Sequence, residues 1–193
     1  MAFVDAAAGE IRLKIVYHGA TFAGRTTNLQ YIYNRTRPEN KTRMVSLATE
    51  TSRSLECFVL AKSLRSPGGL GVRLHLVCSP GCLHIEGAKE QVLAEVDGVV
   101  LVVDSHPYVA DANTYALQQL ERCIAAQGRR LEDLPLTLQL NKRDLPGARA
   151  VAELEAECNP YGRPAFAAVA CTGVGVFETI ESIALQTLAA TGR

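Results

Sequence analysis

The chain has 193 residues, 48% of them hydrophobic, which suits one domain, residues 1–193, built around a single sizeable core. Twenty basic residues balance twenty acidic ones, so no cationic excess advertises nucleic acid or a membrane surface. No apolar run approaches the length of a bilayer span, and the termini carry no secretory, myristoylation or prenylation signal; a cytoplasmic protein with no membrane anchor is expected.

Strand and helix signals alternate along the chain. The first apolar, β-branched run is IRLKIVYHG (11–19), followed by a glycine-containing turn and a helix-period stretch near 26–35. Two further strand signals, SLECFVLA (54–61) and GVRLHLVC (71–78), are joined by only KSLRSPGG. A parallel crossover needs a dozen or more residues, so this pair is expected to be antiparallel. A helix near 86–95 leads to DGVVLVVDS (97–105), apolar nearly throughout, as a central parallel strand covered on both faces should be. A helix near 109–127, a strand LPLTLQLN (134–141), a helix near 149–157, a strand PAFAAVA (164–170) and a helix near 176–190 complete the series. The alternation predicts a three-layer α/β domain with a mostly parallel six-stranded sheet and one antiparallel edge strand. The six cysteines show no disulfide-framework spacing and read as free thiols.

Three loops at the C-terminal ends of strands carry the chemistry. GATFAGRTT (19–27) departs by one residue from a phosphate-binding P-loop, which reads Gly, four residues, Gly, Lys, then Ser or Thr. Gly19, Thr21, Ala23, Gly24, Arg25, Thr26 and Thr27 form the candidate phosphate-binding set, with Arg25 in the lysine position and the Thr26 hydroxyl placed for Mg²⁺. Arginine is a planar fork and lysine a compact point charge, so the exchange is not conservative. The competing reading is a strand–turn–helix junction with capping threonines. The second loop, LQLNKRDLP (138–146), contains Asn141, Lys142 and Asp144 as N-K-x-D. Asp144 can accept from both N1–H and the N2 amine of guanine, whereas adenine would leave the carboxylate unpaired, at roughly 1–3 kcal/mol. Lys142 can lay its stem along the base, and Asn141 can bridge to neighbouring loops. The third, VACTGVGVF (169–177), is a small-residue turn with Cys171, Thr172, Gly173 and Gly175, whose backbone amides can meet a base carbonyl. Ligands of open α/β sheets bind at this edge.

These residues resemble the small Ras-like GTPases, and more closely the bacterial MglA proteins of gliding motility and cell polarity. The similarity runs nearly end to end and is densest in KIVYHG, TTNLQYIYN, ATETSRS, RLHLVCSPG, VDGVVLVVDS, NKRDLP and VACTGVGVF. The resemblance implies a guanine-nucleotide switch that binds GTP or GDP with Mg²⁺ and meets a roadblock-domain (MglB-like) homodimer that stimulates hydrolysis. It assigns Arg53 as the intrinsic catalytic arginine, Ser54 as the switch hydroxyl beside the metal, and Gly81 as the amide that senses the γ-phosphate. It also exposes departures: Thr21 replaces a glycine beside the γ-phosphate, Arg25 the lysine, and Cys82 the glutamine that orients water. Cys78 stands where Ras-like proteins have a Mg²⁺-linked aspartate, which MglA-type proteins also lack. The base-reading set Asn141, Lys142, Asp144 and Thr172 is intact. Weak or slow hydrolysis is therefore expected; the alternatives are a pseudo-GTPase acting as an interaction scaffold and, against NKRD, a P-loop small-molecule kinase. A zinc site from His75, Cys78, Cys82 and His84 is disfavoured, because His75 and Cys78 have opposite parity on a strand. Asp104 ends a central strand, where it either orients the site or caps a turn. His18 and His106 are read as structural.

Overall fold

The computed structural model of the chain describes residues 3–49, 52–66, 68–79 and 88–192, with backbone only at 46–49, 52–56 and 62–65. Gly81, Cys82 and His84 therefore lie outside the described residues, as do the side chains of Arg53 and Ser54.

Among the described residues eight strands form one sheet. They are β1 (Phe3–Asp5), β2 (Glu10–Gly19), β3 (Val45–Thr49), β4 (Ser52–Arg65), β5 (Gly71–Cys78), β6 (Gly98–Asp104), β7 (Leu136–Asn141) and β8 (Ala165–Ala167), in the order β3-β4-β5-β2-β6-β7-β8 with β1 paired to β2. All six expected strands are present, and β4 and β5 are antiparallel as the short connection requires. Two strands extend the expectation. β3 pairs antiparallel outside β4, so β4 is not the edge. β1 is a three-residue hairpin arm whose Asp5 accepts from the Ala8 amide and ion-pairs with Arg12, fixing a turn that hydrophobic periodicity does not mark.

Among the described residues five α-helices follow the expected positions: α1 (Arg25–Arg35), α2 (Ala88–Leu93), α3 (Ala110–Ala125), α4 (Val151–Cys158) and α5 (Val176–Ala190). Two apolar clusters make the three layers. Ile11, Leu13, Ile15 and Tyr17 of β2 face Leu29 and Ile32 of α1 and Ile180 and Ile183 of α5. Val16, Val99, Leu101 and Val103 face Leu117, Leu120 and Ile124 of α3 and Leu154 of α4. β6 and β7 are buried along their whole length, which explains why their sequences do not alternate.

β5, β2, β6, β7 and β8 all run parallel. Their C-terminal ends thus gather Ser79, Gly19, Asp104, Asn141 and the turn after β8 along one edge.

Candidate functional site: a phosphate loop and a base loop joined through the core

β2 runs without a break into the turn at 19–24 and then α1. Gly24 is the N-cap residue, in the left-handed region at φ +100°, and no side chain caps the helix. The capping-threonine reading therefore fails. Among the described residues the amides of Gly24, Thr26 and Thr27 find no acceptor, whereas that of Asn28 bonds to Gly24 O at 3.0 Å. Unsatisfied amides at a helix N-terminus suit an anion. Gly24 is also sterically required: a Cβ there would lie 2.2 Å from Asn141 Nδ2.

Asn141 does what its position suggested. Its Nδ2 donates to Ala23 O at 2.8 Å and its Oδ1 accepts from the Ala170 amide at 2.9 Å, so one buried amide ties the phosphate loop to the turn after β8. Lys142 has a left-handed backbone, φ +64°, and its Nζ meets Asp104 Oδ2 at 2.6 Å. Asp104 accepts the His106 amide on its other oxygen, while Asn113 on α3 bonds both the N–H and the C=O of its backbone. Asp104 thus orients Lys142. Asp144 is exposed and has no hydrogen-bond partner among the described residues. In the third loop Thr172 and Gly173 donate their amides to Val169 O, at 3.1 and 2.9 Å. Cys171 is exposed, and its amide has no such acceptor among the described residues.

Two further links join these loops, and neither was legible as a motif. Asn28 Nδ2 donates to Gly24 O and to Gln139 Oε1, Gln139 donates to Thr179 Oγ1, and Thr179 donates to Gly175 O. All three side chains are buried. Tyr31 packs on Gly173, where a Cβ would come within 2.0 Å of the ring, and stacks edge-on against Phe177. The signal was polar identity at a buried phase: Asn28 shares the stripe of Leu29 and Ile32, Asn113 that of Leu117 and Leu120, and Gln139 interrupts an apolar strand.

Arg25 is 7% exposed, and its Nη1 donates to Ser79 O at 2.6 Å and to Ser79 Oγ at 2.9 Å. Ser79 Oγ in turn lies 3.1 Å from His18 Nδ1, and His18 Nε2 lies 3.0 Å from Ala116 O. His18 thus has definite partners. Burial, aided by the charge of Arg25, pushes its pKa down to about 3. The Thr26 hydroxyl sits 3.7 Å from the Cys78 thiol. His75 is half-buried and Cys78 buried on opposite faces of β5, so the parity that argued against zinc is what β5 adopts.

A glycine turn with open amides, a clamped N-K-x-D and a small-residue turn lie along one sheet edge of an α/β domain whose fold is that of the small-GTPase class. No protein-family model matches the chain. The mutual gliding-motility protein MglA of Myxococcus xanthus is 43% identical to it over 184 residues, which is 95% of this chain and 94% of that protein. The chain belongs to the MglA family of small GTPases, nucleotide-binding switches. Among the described residues no helix is long and apolar enough to cross a membrane.

Proposed function

We propose that the protein is a cytoplasmic guanine-nucleotide switch with slow GTP hydrolysis. The observation that carries this reading is the triple connection between the phosphate loop and the base loop, through Asn141, through Asn28–Gln139–Thr179 and through Tyr31 on Gly173. Such bracing holds the two ends of one nucleotide site in register without the ligand's help. The open amides of Gly24, Thr26 and Thr27 face the phosphates, the Asp144 carboxylate reads guanine, and the Cys171 amide meets the base carbonyl. Thr26 and Ser54 would supply hydroxyls to Mg²⁺, which neutralises phosphate charge when bound. Cys78 brings no hard oxygen, so water and phosphate would complete the ion's shell.

Slow hydrolysis follows from three positions. Thr21 crowds the reacting phosphate. Cys82 cannot both donate and accept toward water as a glutamine amide does. Arg25 has one guanidinium nitrogen committed to Ser79. Arg53 supplies the remaining catalytic charge. That commitment of Arg25 also favours a second reading, a pseudo-GTPase that retains nucleotide and acts as a scaffold; the nucleotide extracted from purified protein and its turnover separate the two. The relative's name points to gliding motility as the setting, and the family resemblance adds cell polarity. The partner is a roadblock-domain homodimer docking on the segments 48–54 and 73–81, and co-purification with GDP or a non-hydrolysable GTP analogue tests it.

Titration with labelled GDP, ADP and XDP tests the guanine assignment. The parent should prefer GDP over ADP by at least about tenfold, equivalent to roughly 1.4 kcal/mol. Asp144→Asn should weaken GDP and favour XDP, whose C2 carbonyl accepts from an amide. Equal binding of ADP and GDP by the parent refutes the assignment.

A further inference from the structure

The hydrogen-bond chain at Arg25 has only one consistent polarity. Ala116 O is a carbonyl, so His18 Nε2 must carry the proton and donate to it at 3.0 Å. His18 Nδ1 is then an acceptor, and the group it accepts from is the Ser79 hydroxyl at 3.1 Å. With its proton turned to His18, Ser79 Oγ presents a lone pair to Arg25 Nη1 at 2.9 Å, and Ser79 O presents another at 2.6 Å. Both protons of Nη1 are thereby engaged. The guanidinium is thus pinned through Nη1 at the end of β5, beside the first turn of α1.

We propose that Ser79 and His18 are positioning residues for Arg25, and that they fix the arginine in the lysine position at the edge of the phosphate loop. The proposal rests on the guanine-nucleotide reading above and adds to it the reason why binding survives without the lysine. Lysine has one ammonium on a shorter stem. Its three protons rotate about one nitrogen, so it lacks the planar, rigid geometry that the two Ser79 acceptors fix in the guanidinium. Burial of His18 supports the assignment, since a neutral ring is required for Nδ1 to accept, and its pKa is lowered by desolvation first and by the nearby charges of Arg25 and Lys89.

A double-mutant cycle on the full chain tests this, with GDP affinity read for the parent, Ser79→Ala, Arg25→Lys and the double variant. Ser79→Ala should weaken GDP by about tenfold beside Arg25 and by less than about twofold beside lysine, because only the arginine uses the hydroxyl. Ser79→Thr, which keeps the hydroxyl, should restore affinity. Equal losses in both backgrounds, or no loss beside Arg25, would overturn the positioning role. Nitrogen-15 NMR of His18 without nucleotide gives an independent reading. The Nε2–H tautomer should persist through mildly acidic pH in the parent and should lose its Nδ1 hydrogen-bond shift in Ser79→Ala. An Nδ1–H tautomer refutes the chain of bonds. A parent that binds no nucleotide sinks the functional reading and with it the phosphate role of Arg25, while the tautomer still decides whether His18 and Ser79 hold the arginine.

Discussion

Replacing Asn141 by alanine removes the side chain on which the two halves of the site converge. In the parent it satisfies Ala23 O at 2.8 Å and the Ala170 amide at 2.9 Å, and both of those residues are buried. After Asn141→Ala neither group has a replacement partner within the packed loops. Each buried group left unsatisfied costs about 1–3 kcal/mol, so the two together cost about 2–6 kcal/mol. Against a total of about 5–15 kcal/mol for a domain, this is a large fraction. Denaturant unfolding of the nucleotide-free protein should show a lower midpoint at unchanged slope, and the melting temperature should fall by about 2–4 °C per kcal/mol. Asn141→Asp is the discriminating control. It keeps an acceptor for the Ala170 amide but turns a second oxygen toward Ala23 O, so it should be no more stable than the alanine variant. A loss below about 0.5 kcal/mol for Asn141→Ala, typical of an unimportant surface position, would refute the claim that this amide braces the site.

Gly24→Ala should abolish nucleotide binding and lower stability together, because its Cβ would meet Asn141 Nδ2 at 2.2 Å on a backbone at φ +100°; near-parental GDP affinity would contradict the cradle geometry. His18 makes stability pH-dependent. Its folded-state pKa of about 3 lies below the ordinary 6.5, so between those values the unfolded chain holds a proton that the folded chain does not. Stability contributed by the neutral ring is present above about pH 6.5 and is lost as pH falls toward 3, by up to about 1.4 kcal/mol per unit. His18→Gln should flatten the slope of unfolding free energy between about pH 6.5 and 5, the range where carboxylates contribute least, and an unchanged slope would show that His18 is not buried neutral. In single-turnover assays the parent should hydrolyse GTP slowly. Thr21→Gly and Cys82→Gln should each help little and together help more than the product of their separate effects, since both act on one transition state; a parent already fast without a partner would mean that another residue orients the water.

The sequence by itself determined the alternation of elements, the antiparallel turn between β4 and β5, and the identity of the three loops, because each depends on local spacing: period, connection length, and glycine or N-K-x-D at a strand end. It determined the bridging duty of Asn141 for the same reason, since a short amide at the end of a buried strand has few places to reach. Only the tertiary structure decided how the loops are held. Asn28 and Gln139 are 111 positions apart and His18 and Ser79 61 positions apart, and parallel strand order rather than sequence proximity makes them neighbours. Tertiary structure likewise decided that Arg25 turns one nitrogen to Ser79. From residue type alone a guanidinium in the lysine position looks misplaced; its acceptors exist only because β5, lying beside β2 in the sheet, ends where α1 begins. β1 and β3 were decided there too, as short strands gain their stability from pairing with a neighbour already in the sheet rather than from any pattern of their own.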